Sequence, residues 1–161
     1  MSQLPEVSIG NLLRTRGLKL AVAESCTGGL IGSRITDVAG SSEYFLGSIV
    51  AYAYEVKVAL LDVSWETLNK YGAVSREIVF GMAHGARKQL HGDIAISVSG
   101  IAGPGGGMPE KPVGTTWIAL VASEGEWAKV FHFTGNREQN KSSSATAALE
   151  MVLNYLQGDL K

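Results

Sequence analysis

A serine and a lysine set the chemistry within reach of this chain. In Ala23-Glu24-Ser25-Cys26-Thr27-Gly28-Gly29 an apolar run ends in small polar residues and two glycines. In an open α/β sheet, the carboxyl end of a strand beside a helix start is where ligands bind. Free N–H groups there suit a phosphate or a developing oxyanion. The segment is not a Walker A loop, since no Gly-Lys-Ser/Thr follows. It is not a G-x-S-x-G elbow either, since Ala23 stands two residues before Ser25. Ser25 and Cys26 compete as nucleophile. A cysteine nucleophile wants a histidine, and His84, His91 and His132 fall on a long helix and a late strand. Cys26 therefore reads as a small apolar filler and Ser25 as the nucleophile. Simple helix capping by Ser25 and Thr27 suits the same residues.

A serine needs a base, and Lys57 is the candidate. It follows Tyr52-Ala53-Tyr54-Glu55-Val56 and lies among Val56, Val58 and Leu60. Burial there pushes a lysine pKa down, and a neutral amine can take a serine proton. Spacing alone favours a surface lysine. Gly40-Ser41-Ser42 presents two hydroxyls on a tight turn, suited to an oxyanion or to a cap. Ser97-Val98-Ser99-Gly100-Ile101-Ala102-Gly103-Pro104 again runs a strand into glycines, with backbone donors and Lys111 close by. The helix a dinucleotide fingerprint requires does not follow. His84 and His91 share a helix face but lack a carboxylate at ligand spacing, so no metal is expected. Trp65, Trp117 and Trp127 read as core or interface residues.

The elements that must hold these residues follow from periodicity. Pro5, Val7, Leu12 and Leu13 suggest a helix to Arg16, stopped by Gly17. Leu18–Ala23 suits a strand buried on both faces. Thr27 is the expected cap of a helix over Gly28–Val38. Leu46–Tyr52 reads as a strand, Tyr54–Leu61 as a helix, and Ser64 with Glu66 opens another that Gly72 closes. Ile78, Val79, Met82, Ala83, Ala86 and Leu90 stripe a helix capped by Ser75 and stopped at Gly92. Ile94–Ser99, Val113–Ala122 and Trp127–Phe133 are strands, the last two a hairpin through Ser123–Glu126. Ala145, Ala148, Leu149, Val152, Leu153 and Leu156 mark a closing amphipathic helix. Such alternation predicts an α/β layered domain with a mixed sheet.

Composition narrows the function classes. The 161 residues suit one domain, 1–161, with 45% hydrophobic and 18% charged residues. A net charge of -1 excludes a strong basic field as a grip on nucleic acid. One cysteine cannot form an internal disulfide. No apolar run approaches the roughly 18 residues of a membrane span, and Met1–Pro5 opens no signal peptide. A cytoplasmic domain is expected, off the membrane, with low charge favouring a homo-oligomer. Glycine stands out: 20 residues, clustered at Gly28-Gly29 and between Gly100 and Gly107. Glycine there lets backbone approach a ligand.

Five spaced motifs carry a resemblance. Ala23-Glu24-Ser25-Cys26-Thr27-Gly28-Gly29, Gly40-Ser41-Ser42, Gly72-Ala73-Val74-Ser75, Ser99-Gly100-Ile101-Ala102-Gly103-Pro104 and Lys111-Pro112-Val113-Gly114 occur in this order. Together they are similar to the CinA C-terminal-domain family, from about Leu12 to Leu153. The chain resembles the members of that family without an additional N-terminal domain. The resemblance implies a three-layer α/β/α sandwich with a mixed, mostly parallel sheet of about five strands. It also implies hydrolysis of the carboxamide of nicotinamide mononucleotide, without metal or other cofactor, by a Ser–Lys mechanism. Matched motif by motif, Ser25 falls on the nucleophile and Lys57 on the base, with Tyr52 beside them. The expected substrate contacts are Thr27, Gly28, Gly29, Ser41, Ser42, Gly100, Gly103 and Lys141, the last two regions facing the phosphate.

Two departures from the family pattern stand out. Ala53 and Tyr54 replace a Ser-Asn pair before Glu55 and Lys57, and an aromatic there is expected to reshape the pocket. Lys141 stands where the family has an arginine, and lysine lacks the bidentate fork. These departures keep two other functions in view: a nucleotide- or protein-binding module without turnover, and an amidase for a different small amide.

Overall fold

The computed structural model describes residues 2–160. Its elements run α1 (Pro5–Arg16), β1 (Leu20–Glu24), α2 (Leu30–Thr36), β2 (Phe45–Val50), α3 (Tyr54–Leu61), α4 (Trp65–Tyr71), α5 (Arg76–Leu90), β3 (Ile94–Gly100), β4 (Thr115–Ala122), β5 (Gly125–His132) and α6 (Arg137–Gln157). The strands form one sheet in the order β2-β1-β3-β4-β5. β1 pairs in parallel with β2 and β3, while β4 is antiparallel to both β3 and β5. Only β4 therefore runs against the others, which makes the sheet mixed and mostly parallel.

Alternation along β1 explains the layers. Leu20 and Val22 point into a cluster with Ile9 and Leu13 of α1, Ile31 and Ile35 of α2, and Leu149 and Val152 of α6. Ala21 and Ala23 point the other way, onto Val79, Met82 and Ala83 of α5 and Leu61 of α3. Strand side chains alternate by two, so each strand serves both helical layers. The α5 side of β1 carries only alanines, which lets that helix lie close. α5 lies equally close to α3: a Cβ at Gly85 would stand 2.1 Å from the Leu61 carbonyl oxygen. Gly85→Ala is expected to destabilise the fold by about 2 kcal/mol through overpacking, read as a lower denaturant midpoint. An unchanged midpoint would contradict this packing.

Several boundaries differ from the sequence reading. β1 begins at Leu20, because Gly17 ends α1 in the left-handed region and the Leu18 N–H turns back to the Leu13 carbonyl. α2 begins at Leu30, since Gly28 and Gly29 both take positive φ, +60° and +105°. α5 ends at Leu90 and is capped by His91, itself left-handed at φ 55°, one residue before the expected glycine stop. α6 starts eight residues before the apolar stripe, at a capping box in which Asn136 and Gln139 satisfy each other's backbone N–H groups.

Candidate active site

The carboxyl ends of β1, β2 and β3 lie together, because Glu24 pairs with both Val50 and Val98. Ser25 leaves β1 on the α3–α5 side of the sheet, and α3 delivers Lys57 to the same place. Lys57 Nζ lies 2.9 Å from Ser25 Oγ, 2.8 Å from the Ala51 carbonyl oxygen and 2.9 Å from that of Tyr52. Lys57 is 1% exposed and Ser25 7%. Burial of the ammonium pushes the Lys57 pKa down to about 8, with a small opposing pull from Cys26. Carbonyls can only accept, so a neutral amine spends its two N–H groups on Ala51 and Tyr52. Its lone pair then faces the Ser25 hydroxyl. This arrangement can activate an alcohol as a nucleophile.

Cys26 borders the same pocket, but burial raises its thiol to about 11. Its thiolate is scarce at neutral pH, and with no histidine on the pocket it is a poor nucleophile. The cavity has a volume of about 190 Å³ and is walled by Tyr52, Val74, Ser99, Gly100 and Arg137 among others. Ser99 is 1% exposed, and its hydroxyl makes no hydrogen bond among the described residues. The backbone N–H groups of Cys26 and Thr27 have no backbone acceptor among those residues either.

Several sequence-predicted contacts lie elsewhere. Ser41 and Ser42 form a short turn before the first residue of β2, at the sheet edge opposite Ser25. Parallel pairing of β2 with β1 carries them a strand length away, which removes them from the site. Thr27 does not cap α2; its hydroxyl donates to the Glu24 carboxylate at 2.7 Å. Gly28 and Gly29 shape the turn behind the nucleophile without lining the cavity. The start of α2 is not open to an anion: the N–H groups of Ile31 and Gly32 donate to Glu24 at 2.8 and 3.1 Å. Gly100 does line the cavity, and the Gly103 carbonyl accepts from Arg137 just beside it. Lys141 borders a neighbouring cavity, near Gly28. Tyr54 is outside the pocket; its hydroxyl accepts from the Ala73 N–H and so braces a wall residue.

Glu24, Arg137 and Asn140 were missed in the sequence. Glu24 is fully buried under the nucleophile turn and also accepts from Ser48 Oγ at 2.7 Å. A lone acid closing an apolar strand was its signal. Asn140, 2% exposed, donates to the Ala102 and Gly135 carbonyls and ties the glycine loop to α6. Its partner at Ala102 lies 38 residues away, and nothing local announces it. Among the described residues no group of three or more His, Cys, Asp or Glu stands ready for a metal. Among them, too, no helix is long and apolar enough to cross a membrane.

An α/β/α sandwich with a buried serine–lysine pair at the end of its first strand defines a narrow class. Residues 3–156 match the CinA C-terminal domain model, and the chain belongs to that family. It is 48% identical to a CinA-like protein of Desulfotalea psychrophila, over 99% of this chain and 38% of that protein. A putative competence-damage inducible protein of Halothermothrix orenii is also 48% identical, over 99% and 39%. The chain thus spans about two-fifths of the length of these curated relatives. Among solved structures, a CinA superfamily protein of Klebsiella pneumoniae superposes with a TM-score of 0.92 at 31% identity, covering 96% of each chain. The competence/damage inducible protein CihA of Agrobacterium tumefaciens gives 0.87 at 38%, covering 98% of this chain and 99% of its own.

Proposed function

We propose that this chain hydrolyses the carboxamide of nicotinamide mononucleotide to nicotinate mononucleotide and ammonia, by a Ser–Lys mechanism. The observation that carries this reading is the 2.9 Å contact of Lys57 Nζ with Ser25 Oγ in a buried niche. Neutral Lys57 takes the Ser25 proton as Oγ attacks the carboxamide carbon. The developing oxyanion is met by the Cys26 N–H and the Ser99 hydroxyl, whose residues both line the cavity. Lys57 then gives its proton to the amide nitrogen, the C–N bond breaks, and ammonia leaves an acyl ester on Ser25. Water, deprotonated by Lys57, attacks that ester, releasing the carboxylate and restoring the serine. Tyr52 contributes its carbonyl, which helps hold the amine neutral-side toward Ser25. Incubation of the pure protein with the mononucleotide should release ammonia, and no release above a Ser25→Ala control refutes the reading.

The lysine also sets the pH dependence. The base form grows as pH rises through about 8, so kcat/KM should climb about tenfold from pH 7 to pH 9 and then level off. A profile flat across that range contradicts Lys57 as base. The same burial makes a linked statement about stability. The unfolded lysine has its ordinary value of 10.5, and the folded one about 8. The unfolded state therefore binds more protons between these values, and the protein gains stability as pH rises from 8 to 10.5. The full gap corresponds to about 3 kcal/mol as an upper bound, absent in Lys57→Met.

A further inference from the structure

Tyr54 departs from the family pattern and has no part in the hydrolase chemistry, yet it reaches the site through a second residue. It opens α3 three residues before Lys57, and its phenol oxygen accepts from the Ala73 N–H at 3.3 Å. Ala73 and Val74 form one wall of the Ser25 cavity. That wall is the short connection between α4 and α5, and other groups fix its two ends. At the near end Lys111 Nζ donates to the Tyr71 carbonyl at 2.6 Å, and Gly72 turns the chain at φ +75°, which glycine adopts without strain. At the far end the Ser75 hydroxyl donates to the Gly72 carbonyl at 2.8 Å and caps α5. Between these ends the Ala73 N–H has no acceptor but Tyr54 among the described residues.

The tie matters because the cavity is small. Its volume of about 190 Å³ lies below the roughly 300–1,000 Å³ of small-molecule sites, so it takes one compact group. In such a space a wall shift of about half an ångström decides whether a ring fits. The Tyr54 ring leans on Trp65, tilted at 47° with centroids 6.4 Å apart, which keeps its hydroxyl aimed at Ala73. We propose that Tyr54 is a positioning residue for specificity: it holds the Ala73–Val74 wall inward and so restricts the cavity to a carboxamide on a single ring. That an amide enters this cavity rests on the hydrolase reading; the setting of its width by Tyr54 is measured without turnover.

Calorimetry on the full chain with two probes, nicotinamide and the fused-ring quinoline-3-carboxamide, tests it. The parent should bind nicotinamide at least about tenfold more tightly than the wider amide. Tyr54→Phe removes only the hydroxyl and should narrow that preference about threefold. Tyr54→Ala also removes the ring that leans on Trp65 and should narrow it about tenfold. A merely structural role would weaken both probes alike and leave their ratio standing. Tyr54 is 38% exposed, so Tyr54→Phe should melt as the parent does. A parent that binds neither probe or does not discriminate between them, or a ratio that Tyr54→Phe leaves unchanged, overturns the proposal. Ammonia release from the mononucleotide is scored separately. Turnover with a ratio that ignores Tyr54 sinks this inference alone, and a ratio that follows Tyr54 without turnover sinks only the hydrolase reading.

Discussion

Ser25→Ala is expected to lower ammonia release from nicotinamide mononucleotide by at least about 10³-fold, and Lys57→Met to do the same. Neither side chain works alone: an alcohol without a base stays protonated, and an amine without an alcohol has nothing to activate. The double variant should therefore be no worse than either single one, the signature of groups that act as a unit. Steady-state assay of the three variants, with melting curves to show that each folds, checks this. Multiplicative losses in the double variant, or more than a tenth of parent activity in Ser25→Ala, would dissociate the pair. The buried hydroxyl of Ser25 has Lys57 as its side-chain partner, so the alanine variant should keep its fold.

Glu24→Gln should give the largest loss of stability. The carboxylate accepts four hydrogen bonds: Thr27 Oγ1 and the Ile31 N–H on one oxygen, the Gly32 N–H and Ser48 Oγ on the other. Every partner is a donor. A glutamine amide turns an NH₂ toward one of those pairs, and a backbone N–H cannot reverse to accept. Hydroxyls can rotate; the amide of Ile31 or Gly32 cannot. The resulting buried mismatch costs about 3–4 kcal/mol, and the Ser25 turn above it loosens. Urea unfolding should show the midpoint drop, and kcat should fall with little change in KM. A midpoint within about 0.5 kcal/mol of the parent contradicts the account of Glu24 as the anchor of that turn.

Much of the scaffold was readable because its signals are local. The stripe on α5, the Pro5 start and Gly17 stop of α1, and the hairpin of β4 and β5 each follow from a few neighbouring residues, although its turn is Ser123-Glu124 alone and not the expected Ser123–Glu126. The nucleophile turn was readable for the same reason, as polar and glycine residues interrupting an apolar strand. Even so, Thr27 as a helix cap was a plausible local answer that a competitor only three residues away displaced: Glu24 turns back under α2 and offers its amides an acceptor, and the hydroxyl joins them as a donor. Ser41 and Ser42 failed differently. They precede β2, and only the direction of its pairing decides which edge of the sheet they occupy.

By itself the order of residues determined the layered class, the alternating burial along the strands, and the presence of an isolated serine turn and an apolar-flanked lysine. It could not bring Ser25 and Lys57 within 2.9 Å, or set Arg137 against Tyr52 across 85 residues. Those meetings come from the parallel crossover that stacks the carboxyl ends of β1, β2 and β3 and swings α3 and α6 over the same edge. Propensity acts between neighbours, whereas a reactive amine needs burial, and burial belongs to the assembled layers. The depressed lysine is thus a property of the fold, written in no single stretch of the chain.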